Sequence, residues 1–337
     1  MEQIKIHANK KIPTKPKFSG NAERVISTGS TLLDLAISGG RIRGGGLPSG
    51  ILVEIFGPSG SGKTVLLCEI AGAVQRQNGE IKFYDPEARL NKQFAKLFGL
   101  KTNKNNYDIP DTITEVFGAV RKWKPEIKKV INGVFADSLT ALSTEMEMED
   151  KDKMGMRRAK EFSEELRKTC RSLIENNLIM VCSNQVRQNM DVGPYGQKYK
   201  SPGGEAIGFY SSLRLRCIGS KKIKIEKKIS GKELSRVAGI SVDIEIFKSS
   251  VWKPYRIAPL TIIYDYGIDD IRENLRFVKQ IRKSNIYLVG RKELSNSLDV
   301  SIAKVEELNL EEQLREETID LWEKIESEFD QNRKPKR

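Results

Sequence analysis

From about residue 25 onward, apolar and polar positions follow two periods that alternate along the chain. Short apolar, β-branched runs mark candidate strands at 51–56, 81–85, 130–136, 178–183, 213–218, 240–247 and 260–264. Apolar residues at helical spacing suggest helices at 64–77, 91–98, 112–123, 157–176 and 203–210. This alternation predicts an α/β fold, a mainly parallel twisted sheet with helices on both faces. The strands over 213–264 follow one another without helices, which predicts an antiparallel end to the sheet. Residues 271–337 turn helical and charged and are expected to form a small C-terminal region. Residues 1–24 place Pro13 and Pro16 among lysines without a helical pattern, and read as a flexible basic arm. No internal repeat is visible.

Composition narrows the class. At 337 residues and 38% hydrophobic, the chain can bury a sizeable core. No segment approaches the roughly 20 apolar residues of a membrane helix. The Lys-rich N-terminus has no apolar stretch and argues against secretion. Cys68, Cys170, Cys182 and Cys217 are widely spaced and accompany a single histidine, His7. That pattern disfavours a zinc site and fits free thiols in a reducing cytoplasm. Net charge is +13, and the basic residues cluster. Residues 1–24 hold six basic and two acidic residues, and Lys221 to Lys232 holds six lysines against Glu226 alone. Clusters of this kind point to a nucleic-acid partner without separating DNA from RNA. For Lys221–Lys232, an exposed hairpin and a secondary duplex-DNA site both stay open.

The chemistry centres on Gly57-Pro58-Ser59-Gly60-Ser61-Gly62-Lys63-Thr64, which fits the phosphate-cradling P-loop. The apolar run 51–56 precedes it and a helical pattern from Val65 follows, the strand–loop–helix context the motif requires. Backbone N–H groups of the loop and the helix N-terminus face phosphate oxygens. Lys63 is placed to reach the β- and γ-phosphates, and the Thr64 hydroxyl to hold Mg²⁺. A second metal-anchoring carboxylate is expected at the end of a buried strand, and Asp137 closes the apolar run from Val130. The strand 81–85 runs into Asp85-Pro86-Glu87. In a parallel sheet the C-terminal strand ends meet at one crevice, so Glu87 is the candidate general base that orients water toward the γ-phosphate. Asp85 reads as a turn or cap residue. The strand 178–183 delivers Asn184-Gln185 to the same edge, where an amide can respond to loss of the γ-phosphate. Residues 186–204 then run nearly 20 positions without periodicity. They mix Arg187, Lys198 and Lys200 with Tyr195 and Tyr199, a composition suited to tracking a single-stranded backbone.

The order of these motifs resembles the RecA family of DNA strand-exchange recombinases. The resemblance lies in Val25-Ile26-Ser27-Thr28-Gly29-Ser30 with Leu33-Asp34, Val53 to Pro58 with the P-loop, and Phe83-Tyr84-Asp85-Pro86-Glu87-Ala88. It continues in Asp137-Ser138-Leu139-Thr140-Ala141-Leu142, Asn184-Gln185-Val186-Arg187, and Gly203-Gly204-Glu205-Ala206 with Phe209-Tyr210. It covers about 25–270. It implies a RecA-like ATPase core using ATP and Mg²⁺, assembled as a helical filament on single-stranded DNA and pairing it with duplex.

By this resemblance Glu87 matches the catalytic glutamate, and Phe94 stacks on the adenine beside Asn91 at the base edge. Gln185 couples ATP state to a second DNA-binding loop at 186–202, with Gly203 and Gly204 following it. The first DNA-binding loop falls near 145–158, with Met154 and Gly155 as its recognisable part and Arg157 and Arg158 beside them. Lys248 matches a lysine that reaches the ATP of a neighbouring subunit. Three departures stand out. Ser250 replaces a second such lysine, the first loop carries Glu145, Glu147, Glu149, Asp150 and Asp152, and no docking helix is evident in 1–24. A hexameric helicase or KaiC-like regulator on the same core is an alternative, as is a DNA-binding mediator with negligible turnover.

Overall fold

The computed structural model describes residues 24–143, 156–185, 187–188, 199–200 and 206–329. The first element was not foreseen. It is α1 (Thr31–Ser38), which starts at the Ser30 cap and is buried along its whole length. Its polar residues Thr31, Asp34 and Ser38 fall at i, i+3 and i+7, a short helical period, and all three are buried. Next come β1 (Leu52–Gly57), α2 (Lys63–Arg76), β2 (Ile81–Tyr84), α3 (Lys92–Leu97), β3 (Tyr107–Asp108), α4 (Ile113–Lys122) and β4 (Asn132–Ala136). Thr112 and Glu115 close a capping box at the start of α4, which sets its first residue. They are followed by α5 (Met156–Glu175), β5 (Leu178–Gln185), β6 (Arg187–Gln188), β7 (Tyr199–Lys200) and α6 (Ala206–Tyr210). Strands β8 (Leu213–Ile229), β9 (Lys232–Ser249), β10 (Ile257–Ile263) and β11 (Gly267–Ile268) complete the main sheet.

The sheet has nine strands in the order β11-β10-β9-β8-β1-β5-β4-β2-β3. From β3 to β8 every neighbour is parallel, and from β8 to β11 every neighbour is antiparallel. The mixed α/β architecture and its antiparallel end therefore match the sequence reading. Side chains alternate between two apolar layers, as strand pleating requires. Val53, Ile55, Phe135, Ile179 and Val181 face α1 and α2, through Leu33, Ile37, Leu67 and Ile70. Leu52, Val134, Met180 and Cys182 face α4, α5 and α6, through Phe117, Phe162 and Ile207. Each such fully buried side chain contributes about 1.5–3 kcal/mol.

Two strands run much further than their apolar segments. Beyond Ile218, β8 pairs with β9 alone, up to Ile229↔Lys232, while β10 meets β9 only from Gly239 onward. The outer half is thus a two-stranded ribbon, and its lysines lie in strand where the sequence reading stopped at charge. A ribbon solvated on both faces needs no apolar alternation. Ser230 and Gly231, at φ 51° and 79°, form its two-residue turn. The segment Lys221–Lys232 is thus an exposed hairpin, the backbone on which the duplex-DNA reading would have to rest.

The C-terminal part comprises α7 (Asp270–Arg282), the hairpin β12 (Tyr287–Val289) and β13 (Lys292–Ser295), α8 (Leu298–Glu307) and α9 (Glu311–Glu328). It has its own apolar cluster around Val278, Val289, Val305 and Leu314. Helix α9 returns to the core. Arg43 meets Glu316, Asp320 and Glu323 at 2.7, 2.8 and 2.9 Å. Trp322 packs against Trp252 with ring centres 5.6 Å apart, and Arg256 lies 3.8 Å over Trp252 while pairing with Glu326.

The junction between the two parts is unusually polar. At the start of α1, Asp34 is 2% exposed and accepts from Ser27 Oγ, Thr28 N and Thr28 Oγ1 at 2.5, 2.8 and 2.7 Å. Asp270, from α7, accepts from Thr31 N and Thr31 Oγ1, each at 2.7 Å. Burial pushes Asp34 up to about 7; the hydrogen bonds from Ser27 and Thr28 oppose the rise and nearby Asp270 adds to it. An acid whose folded pKa is raised stabilises the fold fully below its unfolded pKa and loses that contribution as pH climbs through the folded value. The wild-type chain should therefore lose stability relative to Asp34→Asn between pH about 4 and about 7, by on the order of a few kcal/mol. Parallel denaturant titrations of the two proteins across that range check it; a constant difference would refute it.

Candidate functional site

The loop after β1 turns on glycines. Gly60 and Gly62 have φ of 71° and 83°, the left-handed region that only glycine enters freely. Gly57 is required by contact: a Cβ there would lie 2.8 Å from Cys217 Cβ. Ser61 Oγ donates to Pro58 O at 2.8 Å and draws the loop into a ring. Lys63, 8% exposed, donates to Gly57 O at 3.1 Å and Pro58 O at 2.6 Å. Burial pushes its ammonium below the ordinary lysine value, against the pull of Cys217, Asp137 and Glu87. The Cys217 thiol, which the sequence reading left unassigned, is pushed up to about 11 by burial, with Ser61 and Lys63 opposing.

Three strand ends converge beside this loop. Thr64 Oγ1 donates to Asp137 Oδ2 at 2.6 Å, and Ser183 Oγ donates to Asp137 Oδ1. The register Gly57↔Gln185 sets the Gln185 amide next to the P-loop. A hydroxyl and a carboxylate are hard oxygen donors, the set Mg²⁺ takes when phosphate oxygens and water fill the remaining positions. The residues present thus fit a Mg²⁺–nucleotide, with Thr64 and Asp137 on the metal side.

A cavity of about 530 Å³ opens at this point, lined by P-loop residues Ser59 to Val65 and by Glu87, Asp137, Ser183 and Gln185. Glu87 pairs with Arg89 at 2.9 Å. Asp85 is 2% exposed and accepts from Leu90 N and Tyr107 Oη, each at 2.8 Å, so it shapes the turn that presents Glu87. Phe94 lines the cavity, edge-on to Phe98 with ring centres 5.0 Å apart. Asn91 is exposed, and its Oδ1 caps α3 by accepting from Gln93 N at 2.7 Å, which leaves its amide N–H groups unused by the cap.

Lys248 lies apart from the cavity. In register with Arg214 on β8, it donates to Gly208 O at 3.0 Å and Phe209 O at 2.8 Å, closing the C-terminus of α6. Burial, then Arg214, push it below the ordinary lysine value, while Glu54 opposes them. Ser250 donates its backbone N–H to Ser212 O at 2.7 Å.

Below the loop is a group that the sequence reading missed. Glu54 is fully buried; Asn184 Nδ2 donates to it at 2.8 Å and Arg214 Nε at 2.6 Å. The Arg214 guanidinium also lies 4.5 Å over the Phe56 ring. A lone carboxylate in the run Leu52-Val53-Glu54-Ile55-Phe56 was the available signal, since a charge on a buried strand needs a partner. Of the candidate DNA contacts, Arg157 and Arg158 fall in the first turn of α5, and Arg187 pairs with Lys200 across β6 and β7. Met154, Gly155, Lys198, Gly203 and Gly204 lie outside the described residues.

No helix among the described residues is long and apolar enough to cross a membrane. Residues 15–269 match the RecA N-terminal domain family. The chain is 31% identical over 313 residues to "Protein RecA" of Crocosphaera subtropica, covering 88% of this chain and 85% of that one. It is 32% identical over 251 residues to "Protein RecA" of Wolbachia pipientis subsp. Culex pipiens, covering 74% and 66%. A match to the Macrococcus caseolyticus "Protein RecA" is 33% identical over 252 residues and covers 72% and 65%. Among solved structures, the RadB recombinase aligns over 72% of this chain and 98% of its own, with 19% identity and a TM-score of 0.48. With a family match over residues 15–269 and identity above 30% across most of its length, the chain belongs to the RecA family, whose members bind ATP and DNA in recombination and repair.

Proposed function

We propose that this chain is an ATP-dependent, DNA-stimulated recombinase that coats single-stranded DNA as a helical filament, pairs it with duplex and exchanges strands in the cytoplasm. The observation that carries the reading is the convergence of Lys63, Thr64, Asp137, Glu87 and Gln185 on one cavity at the switch from loop to helix. Bound Mg²⁺–ATP supplies the phosphoanhydride bond and the metal charge that offsets charge on the phosphates. Lys63 holds phosphate oxygens, and its depressed pKa marks an ammonium removed from water, where it interacts more strongly. Glu87 orients water and takes its proton. Phe94 stacks on the base. Gln185 senses the γ-phosphate and begins the segment that leads to α6.

Lys248 supports a filament. It is not among the residues that line the cavity of its own chain, so its contribution is made to a neighbouring copy. Arg157, Arg158, Arg187, Lys198 and Lys200, with Met154-Gly155 and Gly203-Gly204, form the single-strand surface, and the basic ribbon beyond Ile218 takes duplex. Residues 25–270 act as the ATPase core, residues 1–24 as a basic arm and residues 271–337 as the C-terminal region.

Single-stranded DNA should stimulate ATP hydrolysis strongly at low salt. Glu87→Gln should lower that turnover by about 100-fold or more while leaving nucleotide binding intact. Turnover indifferent to DNA, or unaffected by the substitution, would sink the mechanism. A complementation assay tests the trans contact. Lys248→Ala and Lys63→Ala should each be inactive alone, and a 1:1 mixture should recover part of the DNA-stimulated rate. A mixture as inactive as its parts would place Lys248 outside the chemistry.

A further inference from the structure

Neither the nucleotide site nor the DNA surface makes use of the run Glu145-Met146-Glu147-Met148-Glu149-Asp150-Lys151-Asp152, which lies outside the described residues. Its carboxylates repel phosphate, so its chemistry calls for a basic partner. As extended chain it sets Glu145, Glu147 and Glu149 on one face and Met146 and Met148 on the other. The complementary pattern stands in β8, where Lys222-Ile223-Lys224-Ile225 alternates basic and apolar side chains.

That part of β8 has a free edge. Strand β9 pairs along one side, and on the other side β1 meets β8 only from Leu213 to Arg216. The register puts Ile225, Lys227 and Ile229 of β8 on one face with Leu234 of β9. The three apolar side chains there are 49%, 54% and 40% exposed. On the opposite face Lys222 and Lys224 are exposed and, among the described residues, in no ion pair. A two-stranded ribbon is marginal by itself in water and gains from a third strand. Lysines along a free edge repel a second copy of that edge and admit a strand of opposite charge.

We propose that the free edge of β8 at residues 222–225 takes residues 145–149 of a neighbouring copy as a third strand. Glu145, Glu147 and Glu149 lie beside Lys222 and Lys224, and Met146 and Met148 beside Ile223 and Ile225. The edge supplies backbone pairing. The alternation supplies register, because a slip by one residue would set glutamates on isoleucines and methionines on lysines. The segment of the same copy cannot reach. Ser143 is fixed by backbone bonds to Asp111 and Ile113, each of 3.0 Å, between the end of β4 and the residues that follow β3. Those strands lie three or more sheet spacings from β8, at least about 14 Å. Glu145 comes two residues after Ser143 and stays within about 7 Å of it. The contact therefore joins unlike surfaces of two copies and repeats along an open assembly, and it rests on the self-assembly in the reading above. Lys227, Lys228 and Lys232, nearer the ribbon tip, are left for duplex.

The test is zero-length carbodiimide cross-linking, which joins a lysine to a carboxylate in contact with it. It is applied to the full chain assembled on single-stranded DNA with Mg²⁺–ATP, from equal parts of unlabelled and heavy-isotope-labelled copies. Peptides that link residues 145–149 to Lys222 or Lys224 should appear, many of them with mixed labels. Ile225→Asp keeps both lysines but breaks the apolar row, and should lower those links by about 10-fold. Reversing charge on one side, Lys222→Glu with Lys224→Glu, should weaken assembly by about 10-fold. Glu145→Lys with Glu147→Lys and Glu149→Lys should do the same, and a chain carrying all five changes should regain most of the loss. Because the ribbon positions are exposed, those variants should melt as wild type does. Links with uniform labels only, or five changes no better than either set alone, overturn the inference while leaving the filament standing. A wild type that stays monomeric with DNA and nucleotide overturns the self-assembly reading itself.

Discussion

The Asp137 carboxylate ties together the parts on which the rest of the site depends. One oxygen takes the Thr64 hydroxyl from the first turn of α2, and the other takes the Ser183 hydroxyl from β5. Three segments separated by long stretches of sequence are thereby held at one edge. That edge exists because β4, β5 and β1 are parallel neighbours, so their C-terminal ends open on the same side. With the metal-side residues fixed there, the turn shaped by Asp85 needs only to project Glu87 across the gap.

Beneath this edge the sheet carries a charge that it must neutralise internally. Glu54 is fully buried, and an unpaired carboxylate there would be severely destabilising. Arg214 and Asn184 meet its two oxygens, and Phe56 and Phe247 lie within 4.5 and 5.2 Å of the guanidinium carbon. Asn184 adjoins Gln185, while Arg214 crowds Gly208, where a Cβ would lie 2.8 Å from its guanidinium carbon. The network thus spans from the strand that carries the phosphate-sensing amide to the helix whose carbonyls Lys248 closes. A buried ion pair of this kind adds little net stability, but it constrains geometry because it tolerates few alternatives.

The same principle joins the C-terminal helices to the core. Arg43 gathers three carboxylates of α9, and the two tryptophans with Arg256 form the apolar counterpart. Gly40 is needed at this contact, since a Cβ would lie 2.0 Å from the Trp252 ring. The exposed ion pairs each contribute little, and the packed rings supply the greater part of the attachment.

Much of this was legible in the residues alone. Continuous apolar runs placed the central strands, because burial on both faces removes alternation, and helical spacing placed α2, α4 and α5. The P-loop glycines, Lys63, Thr64 and Asp137 were readable because phosphate and metal chemistry needs those side chains at those strand ends. Other features needed the tertiary structure. Helix α1 buries its polar positions Thr31, Asp34 and Ser38 with the rest, and the lysine-rich ribbon exposes Ile225 and Ile229, so in neither does burial follow the polar–apolar pattern. Asp265 joins the cavity only when the turn after β10 and α3 meet across it. Glu54 stood out as a lone charge, yet its partners lie 130 and 160 positions away. A sequence states which chemistry each segment can perform; which groups meet is decided by the crossing of strands far apart in the chain.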